Sequence, residues 1–206
     1  MNHEKLANEF DRQIETLIRL GYPKIARVKR VDFVREIEPL KKKIGKDFKG
    51  GRIPFVIVVK SDWVAIEKAL PLVELDSKKA FIALYPVEPK NFQPIDTVKL
   101  PIGLAYLIGD VDTGQATLNV TPNQAIEKIK RQKRSPLTID EGVALLTHYP
   151  EVLKANNCFY MLGSRSGDKR VAALWISRGK PRLGWCWAGN PHSWLGSASC
   201  LGRIGL

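Results

Sequence analysis

Cys158-Phe-Tyr-Met-Leu162, Val171-Ala-Ala-Leu-Trp-Ile-Ser177 and Arg182-Leu-Gly-Trp-Cys-Trp187 are the runs that decide the fold class. Each is short, apolar and rich in aromatic or β-branched side chains. They are joined by Gly163-Ser-Arg-Ser-Gly-Asp-Lys-Arg170 and Arg178-Gly-Lys-Pro181, whose Gly, Ser, Asp and Pro favour turns. Strands with such tight connections pair with their neighbours in sequence, so the spacing predicts a three-stranded antiparallel meander. Residues 188–206, rich in Gly and Ser, read as loop.

Upstream of the meander the periodicity changes to that of helices. Thr138-Ile-Asp-Glu141 is a capping box, in which Thr and Glu each satisfy a free backbone N–H of the first turn. Thr121-Pro-Asn-Gln124 combines a cap residue with proline at the first helical position. The helix after Thr121 should carry the basic run Lys128, Lys130, Arg131, Lys133 and Arg134, and the helix after Thr138 should end near Tyr149-Pro150.

Residues 53–59 form an apolar run with Pro54 near its start, as in a buried strand, and follow the turn-rich Lys49-Gly50-Gly51. Ser61 or Asp62 is expected to cap a short helix that Pro71 ends. Residues 81–85 and 103–108 read as strands, separated by a surface loop with four prolines. At the start of the chain Leu6, Phe10, Ile14 and Leu17 recur at helical spacing up to Gly21-Tyr22-Pro23. A second set, Phe33, Val34, Ile37 and Leu40, runs into Lys41-Lys42-Lys43, where cations favour a helix C-terminus. The expected architecture is a single α+β domain over 1–206, with a helical N-terminal segment at 1–48. The main body, 53–206, holds a mixed sheet ending in the antiparallel meander, for five or so helices and about six strands in all.

With 206 residues the chain can bury a full core without staples. Its 33 Lys and Arg against 21 Asp and Glu give a formal charge of +12, which favours an anionic partner. The positive excess sits at the two ends: residues 151–206 hold eight Lys and Arg against two acids, while 53–125 hold six against eight. Three cysteines, all in the last quarter, make a poor disulfide framework and read as reduced thiols. The start Met-Asn-His-Glu-Lys lacks the pattern of a signal peptide, and no stretch approaches about 18 apolar residues. The expectation is a cytoplasmic protein with no membrane partner.

Asp110-Val-Asp-Thr-Gly114, Thr117-Leu-Asn-Val-Thr-Pro122, Ser135-Pro-Leu-Thr-Ile-Asp-Glu-Gly142, Ala173-Leu-Trp-Ile-Ser177 and Gly184-Trp-Cys-Trp-Ala-Gly-Asn-Pro-His192 together resemble a bacterial family, the domain of unknown function numbered 5701. The resemblance spans nearly the whole chain. It implies a bacterial cytosolic protein and carries over no catalytic residue, so function has to be argued from chemistry.

Asp110 and Asp112 follow a strand, where paired carboxylates can hold a cation. Asp-Thr-Gly is also a common turn, and no further acidic cluster accompanies it, which favours the turn. Gly163-Ser-Arg-Ser-Gly167 places Arg165 where a nucleophile elbow needs serine. No phosphate loop or dinucleotide fingerprint is present. His148, at the end of the capped helix, reads as a cation matched to the helix dipole. Trp175, Trp185, Trp187 and Trp194, four of the five tryptophans, either fill a core or stack a planar ligand, with core filling favoured. Cys158 and Cys186 should lie too far apart along the meander to share a zinc ion, and neither a metal nor a cofactor is implied.

Successive turns of a meander emerge at opposite ends, so the 163–170 turn should meet the loop after residue 187. That brings together Arg165 and Lys169 as anion donors, Ser164 and Asn190 as hydrogen-bonding groups, Asp168 and His192 as proton carriers, and Trp194 as a stacking surface. The reading is a site for a small anionic or planar metabolite, nucleotide-like, with no support for a particular reaction. Two alternatives stand beside it. One is a basic protein that binds nucleic acid through the Lys41–Lys43 and Lys128–Arg134 runs, at least at low salt; the other is a module that binds a protein partner.

Overall fold

A computed structural model describes residues 3–44 and 53–206. The Lys49-Gly50-Gly51 turn and the segment boundary expected at residue 48 lie outside the described residues. In chain order the elements are α1 (His3–Arg19), α2 (Tyr22–Ile25), α3 (Arg30–Ile37), β1 (Ile53–Val59), α4 (Ile66–Ala69), β2 (Glu74–Leu75), β3 (Lys78–Lys79), β4 (Phe81–Ile82), β5 (Gln93–Pro94) and β6 (Ala105–Val111). There follow α5 (Pro122–Arg131), β7 (Ser135–Pro136), α6 (Ile139–His148), β8 (Cys158–Met161), β9 (Ser164–Arg165), β10 (Arg170–Ser177), β11 (Lys180–Trp187), β12 (Leu195–Ser197), β13 (Ser199–Cys200) and β14 (Gly202–Ile204). The protein is α+β: a helical N-terminal region followed by mixed and antiparallel sheets.

The amphipathic stripe of α1 buries Leu6, Phe10, Ile14 and Leu17, and α3 buries Phe33 and Ile37. A 3-10 turn over Glu38–Lys43 then buries Leu40 and leaves the lysine run in its last turn. This helical layer covers one face of a three-stranded antiparallel sheet of order β1-β6-β14. Every residue of β1 is buried because both faces are occupied. Phe55, Ile57 and Val59 pack with the helical layer, while Val56 and Val58 join the main core.

Nine of the ten residues of α6 are buried, as expected of a helix enclosed on all sides. Both bonds of its capping box form: Thr138 Oγ1 accepts from Glu141 N at 3.3 Å, and Glu141 Oε2 accepts from Thr138 N at 2.7 Å. The Glu141 carboxylate, fully buried, also takes the Tyr106 hydroxyl at 2.9 Å and the Arg203 guanidinium at 2.5 and 2.8 Å.

The expected meander is present as β8-β10-β11, with Ala173 opposite both Tyr160 and Gly184. It is extended at each edge by a parallel strand, giving the order β12-β8-β10-β11-β4. The loop expected over 188–206 is therefore corrected, since β12 joins the five-stranded sheet and β14 the three-stranded one. A glycine-rich composition hid these strands, because there glycine serves close backbone contact. A Cβ on Gly196 would come within 2.3 Å of the Gly114 carbonyl oxygen, and one on Gly114 within 2.3 Å of Ser197 N.

Two smaller expectations are also corrected. Neither Ser61 nor Asp62 caps α4; Ser61 donates its N–H and hydroxyl to Asp140 at 3.0 and 3.1 Å, and Ala65 stands at the cap position without a side-chain bond. The strand expected over 81–85 stops at Ile82; beyond it the carbonyls of Leu84 and Tyr85 accept from Trp185 Nε1 at 3.0 and 3.1 Å.

Candidate functional site

The site begins at a two-residue turn. Arg178 and Gly179 have φ of 51° and 72°, the left-handed pair that suits the twist of a tight hairpin. That turn sets Ser177 opposite Lys180 and Trp175 opposite Arg182. Alternation along β11 then puts Lys180, Arg182, Gly184 and Cys186 on one face, and Leu183, Trp185 and Trp187 on the other.

On the first face a row crosses three strands. The Arg182 guanidinium carbon lies 4.8 Å from the Trp175 ring centroid on β10 and 6.0 Å from that of Phe81 on β4. Trp175 leans over Gly184, where a Cβ would come within 2.3 Å of its ring. The row continues through Trp194 (centroids 6.1 Å from Trp175) to His192, 5.1 Å from Trp194, above the buried Tyr160. Trp175, Trp185 and Trp194 are partly buried against the main core and Trp187 is exposed, so the four cover the core from two opposite faces, which corrects in part the expectation that they fill it.

The two arginine–tryptophan groups differ in one respect. On the second face Arg170 lies 4.6 Å over Trp185 and 5.1 Å over Trp187, and its guanidinium is ion-paired with Asp168. Among the described residues Arg182 has neither a hydrogen bond nor an ion pair, and its Nε is buried between the rings. Residues 151–206 hold only Glu151 and Asp168 as acids, and Asp168 is already taken by Arg170.

The residues singled out from sequence divide into two sets. Asn190, His192 and Trp194 gather over Tyr160, whose hydroxyl donates to the Asn190 carbonyl at 3.3 Å. The His192 carbonyl accepts from Asn119 N at 2.9 Å, which anchors the loop. The Lys169 carbonyl accepts from Ala188 N at 2.8 Å, so the loop does start beside the first turn. The other three are engaged locally. Ser164 is buried and its Oγ accepts from Ile139 N at 3.0 Å, at the start of α6. Arg165 donates to the carbonyls of Leu162 and Ser164 at 2.8 and 3.0 Å, and burial lowers its pKa. Asp168 accepts from Arg170 N and the Ser166 hydroxyl, both at 2.8 Å; the backbone bond is the largest cause holding its pKa below the usual carboxylate value. Arg182 and Phe81 were missed, and Trp175 was weighed only as one of the four clustered tryptophans, without its arginine partner. Treating Arg178-Gly179 as a two-residue turn would have paired Arg182 with Trp175.

The remaining motifs have structural roles. Asp112 Oδ1 accepts from Gly114 N at 2.6 Å, so Asp-Thr-Gly is a turn, and Asp110 is ion-paired with Arg134 at 3.4 Å. His148 is buried, with Nε2 donating to the Ile57 carbonyl at 3.0 Å, and burial pushes its pKa down to about 3. It is neutral, which corrects its reading as a cation at the helix end. Burial pushes the Cys186 thiol up to about 11, against nucleophilic use. Among the described residues no cluster of three or more His, Cys, Asp or Glu could hold a metal ion, and no helix is long and apolar enough to cross a membrane.

The fold and the face define an α+β protein whose meander carries arginines stacked among aromatic rings. The chain belongs to the family of unknown function DUF5701, whose model matches residues 16–206. No curated protein and no solved structure matches it.

Proposed function

We propose that the protein binds a small planar, anionic ligand of nucleotide type on the face built from Trp175, Arg182, Phe81, Trp194 and His192. One observation carries this reading: Arg182 is held between two aromatic rings without a hydrogen-bond or ion-pair partner among the described residues. A guanidinium fixed by ring contacts keeps its donors for an incoming anion, and the adjacent tryptophans offer a surface for a flat ring. Arg170 provides the internal comparison, since the same kind of aromatic seat there is neutralised by Asp168.

The test is titration of the protein with AMP and with adenosine, followed by tryptophan fluorescence and calorimetry. AMP should bind more tightly than adenosine. Arg182→Ala should weaken AMP binding by roughly tenfold or more, the loss of a hydrogen bond to a charged group, and Arg170→Ala should leave it unchanged. AMP binding that ignores both Arg182→Ala and Trp175→Ala, or no binding at millimolar concentration, would sink the reading.

A further inference from the structure

The cations beyond Arg182 deepen that reading. Lys180 is two residues from Arg182 on the same face of β11, about 7 Å along the strand. Arg178 sits in the turn itself, exposed. The β2-β3 hairpin, from a distant part of the sequence, brings Lys78 to the same place: a Cβ on Gly179 would come within 2.5 Å of the Lys78 ammonium nitrogen. Three exposed cations thus gather at one turn, and among the described residues none of them makes an ion pair. Some cations elsewhere are ion-paired, as in Arg30 with Glu15, Lys41 with Asp11, Lys90 with Glu88 and Arg134 with Asp110. Like charges held together without a counterion repel one another, and a multivalent anion relieves that repulsion.

We infer that the ligand of this face is a nucleoside polyphosphate. Its base stacks on one ring of the edge-to-face pair Trp175 and Trp194, its first phosphate meets Arg182, and its outer phosphates run along Lys180 to Lys78 and Arg178. This rests on the proposed function above, and adds that affinity grows with the number of phosphates. A polyanion that simply spreads over a basic protein would depend on total charge; this arrangement depends on the ring at one end and the turn at the other.

The experiment compares AMP, ADP and ATP on the intact protein and on Lys78→Ala, Lys180→Ala and the double variant, with oligo(dT) as a further probe. Both lysines are exposed, so the variants keep the fold. Affinity should rise from AMP to ATP. Each single variant should weaken ATP about fivefold, the scale of an exposed charge pair, while leaving AMP unchanged. Equal affinities for AMP, ADP and ATP would overturn this inference and leave the mononucleotide reading standing. Lysine variants that weaken AMP as much as ATP would overturn it too, as would oligo(dT) binding that outcompetes ATP at physiological salt. Failure of all three nucleotides to bind would remove both readings together.

Discussion

Replacing Arg203 by Met is expected to cost about 3–5 kcal/mol, the scale seen when one partner of a buried ion pair is removed. The Glu141 side chain is 0 % exposed and that of Arg203 7 %. The guanidinium supplies two of the four bonds that the carboxylate accepts, the others coming from Tyr106 and the Thr138 amide. It also donates to Ser135 Oγ at 2.6 Å and to the Pro136 carbonyl at 2.9 Å. Met keeps the aliphatic stem, so the change isolates the charge and its donors. A buried carboxylate with half its bonds left and no counterion is the dominant cost. Urea unfolding followed by both circular dichroism and tryptophan fluorescence gives the difference. The double variant Glu141→Gln with Arg203→Met removes both charges, and should lose much less than the sum of the two single variants. A single-variant loss below about 1 kcal/mol, or strict additivity in the double variant, would refute the argument that this pair is desolvated.

Two further outcomes are expected. His148 has a folded pKa of about 3, below its ordinary 6.5, so the unfolded chain takes up a proton that the folded one does not. Its contribution to stability is complete above pH 6.5 and shrinks as the pH falls toward 3; a His148→Gln variant should therefore lose stability less steeply over that window, and identical slopes would contradict a neutral buried ring. Gly196→Ala should lower stability by about 2–3 kcal/mol and loosen β12 in hydrogen exchange, because the added methyl would lie 2.3 Å from the Gly114 carbonyl oxygen; an unchanged melting temperature would show that the two backbones can part.

The elements visible in the sequence were those with a strong local signal. The stripe of α1, the caps Thr121 and Thr138, and the three meander strands all carry side-chain patterns that act over a few residues. Strands β12 and β14 carry no such pattern, since Leu195-Gly-Ser197 and Gly202-Arg-Ile204 are specified by partners far away in the chain. The candidate face was half visible for the same reason. His192 and Trp194 stand out in their loop, whereas Arg182 gains meaning only once the register sets it opposite Trp175 and Phe81. His148 looked like a cation because its position on α6 was legible and its burial beneath β1 was not.

The late strands have a consequence for the order in which the molecule is made. Residues 195–204 lie C-terminal to every strand they pair with, so a chain synthesised from its N-terminus has β8 and β6 in place before their neighbours β12 and β14 exist. Until then both sheets present an open edge, the kind of surface that recruits foreign strands. The nascent protein thus passes through an interval in which β8 and β6 stand uncovered, and it closes when the short strands β12 and β14 take their places beside them.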